Sequence, residues 1–151
     1  MIRKARLTMS ALLALLLLFS LSGCDFISGL FNPLLGTWQA TVSESGLSGT
    51  ETLVFKSDGT WTMSISISGT SSGVSVSMSM SASGTYKQDS SAETITLDGS
   101  SSGSMTVGGQ TQPMQASQIS GSVMRYALSD FNKTLTLTDS SSSTITAFKR
   151  Q

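Results

Sequence analysis

Trp61-Thr-Met63-Ser-Ile65-Ser-Ile67-Ser68 sets an apolar side chain at every odd position and a small hydroxyl at every even one. Successive side chains of a β-strand point to opposite faces, so this alternation reads as a strand with one buried face and one hydroxyl face. Val74-Ser-Val76-Ser-Met78-Ser-Met80-Ser-Ala82-Ser-Gly84-Thr-Tyr86 repeats the pattern with even parity for 13 residues. Residues 68–73 between them form a glycine-bounded loop of hairpin length, so the two strands are expected to pair antiparallel with their apolar faces on one side. Ala82 and Gly84 thin that face, as at a bend, a bulge or the corner of a closed barrel.

Outward from this pair the same period recurs in shorter pieces. Residues 36–42 turn Trp38, Ala40 and Val42 inward, and residues 51–55 do so with Leu53 and Phe55. Lys56-Ser57-Asp58-Gly59 is a tight turn. Residues 94–97, 104–107, 119–128, 135–137 and 144–148 complete nine expected strands, with 108–118 as a loop. Within 119–128 the apolar parity passes from odd (Ile119, Val123) to even (Met124, Tyr126, Leu128), which requires a bulge or a different boundary. Asn132-Lys133-Thr134 fits a glycosylation acceptor but reads as a hairpin turn. No helical stripe is present, and the connections are mostly too short for parallel crossovers. The expectation is an all-β antiparallel domain, either a barrel or a sandwich.

The first residues carry a different signal. Arg3, Lys4 and Arg6 precede an uncharged run from Leu7 to Cys24, a charged region followed by an apolar one. The run is shorter than the roughly 20 apolar residues that span a bilayer, and it ends in small residues. Leu21-Ser22-Gly23-Cys24 resembles the bacterial lipobox, where a peptidase cleaves before a cysteine that is then acylated. The resemblance implies a removable signal peptide at 1–23, an acylated Cys24 opening a tether over 24–34, and an exported domain at 35–151. Lipid chains would then hold the protein to the inner or outer membrane of a bacterial cell, since two or more chains anchor stably where one does not. Asp25 resembles the inner-membrane retention signal of some enteric lipoproteins.

Composition narrows the function classes. Losing residues 1–23 removes three of nine basic residues and none of nine acidic ones, leaving a net charge of −3, which disfavours a nucleic-acid partner. Gly69-Thr-Ser71-Ser-Gly73 and Gly99-Ser-Ser101-Ser-Gly103 both match a nucleophile-elbow pattern, but that motif needs a base and a strand-to-helix turn, and the chain has no histidine. Lys56, Lys87, Lys133 and Lys149 stand in no Ser-x-x-Lys spacing. With no imidazole and one thiol committed to acylation, no catalytic residue, metal or cofactor is expected.

Leu35-Gly36-Thr37-Trp38, Leu53-Val-Phe55 before Ser57-Asp-Gly-Thr60, Gly84-Thr-Tyr86 and a closing Phe148-Lys149 together resemble the lipocalin-like, calycin-type domains of bacterial lipoproteins. That resemblance implies a meander of about eight or nine strands closed into a β-barrel. Gly36 and Trp38 would stand where the first strand enters, with Trp38 plugging the closed end beneath Lys149 or Arg150. The inward side chains Trp61, Met63, Ile65, Val76, Met78, Met80 and Met105 are the candidate cavity lining; methionine fills irregular cores as well as pliable pockets, and both uses stay open. A barrel of this size either packs full or holds one small ligand. The expected function is a membrane-anchored, non-enzymatic envelope lipoprotein that binds a small apolar ligand or lipid. The alternatives are an adhesin-like interaction module and a protein inhibitor.

Overall fold

The computed structural model describes residues 32–44, 46–139 and 145–151. The expected signal peptide at 1–23, the lipobox-like Leu21, Ser22 and Gly23, the expected acylation site Cys24 and most of the expected tether lie outside the described residues. Eight strands follow one another in chain order: β1 (Gly36–Glu44), β2 (Leu47–Phe55), β3 (Thr60–Ser71), β4 (Val74–Asp89), β5 (Thr94–Val107), β6 (Gln110–Ser129), β7 (Thr134–Asp139) and β8 (Ile145–Arg150). Each pairs antiparallel with the next, and β8 returns to β1, closing a barrel. Closure, not a sandwich, is the solution this chain adopts; it gives the first strand a partner on its second edge.

The seam is short. β1 and β8 are registered only at Trp38↔Arg150 and Gln39↔Lys149, whereas β4 and β5 are in register from Val76↔Val107 to Asp89↔Thr94. Among the described residues β7 and β8 have 6 each against 20 in β6.

Two expected strands, 94–97 and 104–107, are one. Asp98-Gly-Ser-Ser-Ser-Gly103 between them shows no apolar alternation, yet it is held in β5 by ladders to β4 and β6. The expected loop at 108–118 shrinks to Gly108-Gly109, with φ of 56° and 83°, and β6 starts at Gln110. The loop at 68–73 likewise shrinks to Ser72-Gly73, with φ of 52° and 82°. Two left-handed residues in succession make the mirror-image hairpin turn, whose twist matches that of the strands.

The parity switch in β6 is a bulge. Leu97 faces Ser122 while Gly99 faces Ile119, so Asp98 stands opposite two residues, Ser120 and Gly121. Gly121 takes φ of 60°, and its N–H donates to Asp98 Oδ1 at 2.8 Å. Ile119 and Met124 both remain turned inward as a result, and Val123 is the residue displaced to the outer face, 41% exposed.

The core gathers at the end where the chain enters. Leu34, Trp38, Phe55, Trp61, Ile95, Leu135 and Phe148 are all almost completely buried there. Trp61 reaches across two neighbouring strands, its indole N–H donating to Thr85 O at 3.1 Å and Asp98 O at 3.3 Å. Gly84 and Gly99 face each other beneath it; a Cβ on either would collide with the opposing backbone, so glycine is what lets the strands close up under the ring.

Candidate functional site

Trp38 forms the floor. Its side chain is fully buried and its indole N–H donates to Leu34 O at 2.7 Å. Arg150 lies over it, with the guanidinium carbon 4.3 Å from the ring centre, a cation–π stack. The same guanidinium donates to Leu35 O at 2.8 Å and to Asn132 O at 2.9 Å, pinning the incoming chain and the β6–β7 turn together. Gly36 has φ of 125°, and Arg150 Nη1 stands 3.1 Å from where its Cβ would be, so the stack needs a bare backbone there. Of the two basic residues expected over Trp38, Arg150 takes the place. Lys149 points outward instead, bonded to Thr134 Oγ1 at 2.6 Å and 3.4 Å from Asp130, because strand alternation sends neighbours to opposite faces.

Inside the barrel from this floor lies a cavity of about 350 Å³. Leu53 and Phe148 form its base, Trp61 and Met63 one wall, and Leu97, Ile119, Met124 and Leu137 the other. Ser122, Thr146, Glu51 and Asp139 are its polar members. Its volume is at the small end of the range for small-molecule sites, about 300–1,000 Å³, and its walls are mostly apolar as such sites are.

Two of the seven inner-face residues expected to line a cavity, Trp61 and Met63, do so. Ile65, Val76, Met78 and Met80 face inward and are half-buried, but they stand further along the strands toward the hairpin ends. Met105 is 41% exposed and Val107 and Met114 are similar, at the hairpin end of β5 and β6 away from the buried core. The alternation named the correct face; it did not say how far along that face the barrel is enclosed.

Glu51 is the site residue the sequence left unremarked. On β2 it shares the odd parity of Leu53 and Phe55, so its side chain enters the barrel between the cross-strand neighbours Ala40 and Ile65. It makes no hydrogen bond or ion pair among the described residues. Burial among apolar groups raises its pKa above the ordinary glutamate value. Parity alone could have found it, had the polar member of an inward-facing row been weighed alongside its apolar ones. Met124, Leu137 and Phe148 were legible as inward but came together only through closure.

Among the described residues no group of three histidine, cysteine or acidic side chains converges as a metal site would require. No protein-family model matches this chain, and no curated protein is significantly similar to it.

Proposed function

We propose that the chain is a membrane-anchored lipoprotein of the bacterial cell envelope whose lipocalin-like barrel, without enzymatic activity, binds a small apolar ligand or lipid. The observation that carries this reading is the apolar cavity between the Trp38 floor and the rim, lined by Trp61, Met63 and side chains from β2, β5, β6, β7 and β8. A tightly packed interior would have argued for a purely structural barrel. The lipobox-like Leu21-Ser22-Gly23-Cys24 supports the anchor. Native mass spectrometry of the full chain, released from nanodiscs made of its host's membranes, tests both halves. Expected are the mass of a chain cleaved before Cys24 and acylated, and a small apolar molecule that leaves on denaturation. A persistently empty cavity would remove the ligand half, and an unprocessed N-terminus the anchor.

A protein-interaction role is the second reading, and one observation favours it. Among the described residues, 110–122 of β6 pair with β5 alone and carry no charge. Such an edge offers a ladder to another strand, although Pro113, with no N–H to give, and the register shifts at Leu97/Gly99 and Ser101/Gly103 blunt it. Light scattering at high concentration decides: self-association abolished by Gln112→Lys supports the edge, and a strict monomer removes self-pairing.

A further inference from the structure

Glu51 sets a polarity on the cavity. An ionised carboxylate loses hydration when it is turned into an apolar wall, and a fold recovers that loss by giving it a donor or a cation. Here the flanking side chains are Ala40 and Ile65, and no described residue supplies either.

The second charged residue of the lining, Asp139, is also acidic, and among the described residues no lysine or arginine lines the cavity. The basic residues of the described chain stand elsewhere. Lys56 and Lys133 are on turns, Lys87 and Arg125 are on outward positions of β4 and β6, Lys149 is outside and Arg150 is committed to the floor. Among the described residues the cavity therefore has an apolar body and an anionic group, Glu51, with no lysine or arginine in its lining to receive an anion.

We propose that the cavity takes a small amphiphile with an apolar tail and a protonated amine head, and that Glu51 is the counter-ion for that head. The inference rests on the reading of the cavity as a ligand site and names the class of ligand. A fatty acid, the obvious apolar partner of a barrel, is disfavoured by the same arrangement: its carboxylate would meet the like charge of Glu51 in surroundings less screening than water. The raised pKa of Glu51 agrees, because it records a desolvation that the chain itself leaves uncompensated and that a bound cation would offset.

The test uses three probes with one tail: octylamine, octanol and octanoate, titrated at neutral pH into the full chain in phosphatidylcholine nanodiscs. Methyl-¹³C resonances of Met63 and Met124, which line the cavity, report occupancy apart from partition into lipid. Octylamine should bind about tenfold more tightly than octanol, as expected for one partly screened ion pair, and octanoate more weakly than either. In Glu51→Gln the amine should fall to the affinity of the alcohol while the alcohol is unchanged. Octanoate binding as tightly as octylamine, or an amine preference that survives Glu51→Gln, would overturn the assignment and leave an apolar-ligand barrel standing. Methyl resonances unmoved by all three probes would overturn the ligand site itself.

Discussion

The two ends of the barrel are built from the same alternating strands and are stabilised differently. At the end where the chain enters, buried apolar residues from seven strands converge with Leu34, and the tryptophan hydrogen bonds and the Arg150 stack fix their orientation. Toward the hairpin ends of β3–β4 and β5–β6 the inner face is just as apolar in sequence, yet Val74, Met105, Val107 and Met114 are each about two-fifths exposed. The outer face there is stitched by hydroxyl pairs, Ser79 with Ser104 at 3.2 Å and Thr106 with Thr111 at 2.8 Å. Alternation is enough to make a sheet; enclosure on the far side is what turns its apolar face into a core.

The largest expected effect breaks the packed end. Trp38→Ala should cost about 3–5 kcal/mol in urea unfolding, the range for deleting a buried aromatic side chain, whereas Met78→Ala on the open face should cost less than about 1.5 kcal/mol. Equal costs would mean the two ends are not distinct. Arg150→Ala comes next, at about 2 kcal/mol for the lost stack and the bonds to Leu35 and Asn132. Its neighbour Lys149→Ala should stay within about 0.5 kcal/mol, because that ion pair is largely solvated.

Acid titration sharpens the comparison further. The folded pKa of Glu51 lies above its unfolded value, so the folded chain holds that proton more tightly and gains stability as pH falls through the folded pKa. Asp139 is the other acid of the same cavity, and among the described residues no lysine or arginine lines it. Asp58, Asp89 and Asp130 behave in the opposite sense. Hydrogen bonds, chiefly from the side chains of Thr60, Ser91 and Thr134, hold their pKa values below the ordinary aspartate value, so their contribution is present above that value and is lost as pH falls through the folded pKa. The urea midpoint should therefore rise slightly on mild acidification and fall under stronger acid. Glu51→Gln should raise the midpoint at neutral pH and erase the rise. A wild-type midpoint that only falls on acidification would contradict the placement of Glu51.

The smallest effect concerns the β6–β7 turn, where Asp130, Phe131 and Asn132 all have positive φ and Phe131 is fully exposed. A phenylalanine in the left-handed region is strained without packing in return, so Phe131→Gly should stabilise by about 0.5 kcal/mol, readable as a small rise in the thermal midpoint.

Much of the fold was legible because strand parity is a local property. The hairpin of β3 and β4, the inward rows of β1 and β2, and the bulge announced by the parity switch of β6 all follow from the order of side chains. The middle of β5 was not legible, since Asp98-Gly-Ser-Ser-Ser-Gly103 is extended through its neighbours' ladders and not through any pattern of its own. The start of β6 was hidden for the same reason: Gln110-Thr-Gln-Pro-Met-Gln-Ala-Ser-Gln118 alternates poorly, and the two-glycine turn before it does the positioning.

For the cavity the division is sharper. The sequence by itself determined the all-β antiparallel class, the side of each strand that carries apolar groups, and Trp38 as the natural plug, because each depends on near neighbours or a short motif. Only the tertiary structure decided that the meander closes instead of stacking into two sheets, that Arg150 and not Lys149 covers the plug, and that Met105, Val107 and Met114 on the far inner face stay partly exposed. It also decided that Glu51 enters a cavity whose described lining includes Asp139 and no lysine or arginine. These depend on register and strand length summed around a ring, and no single strand encodes where its partner across the barrel will stop.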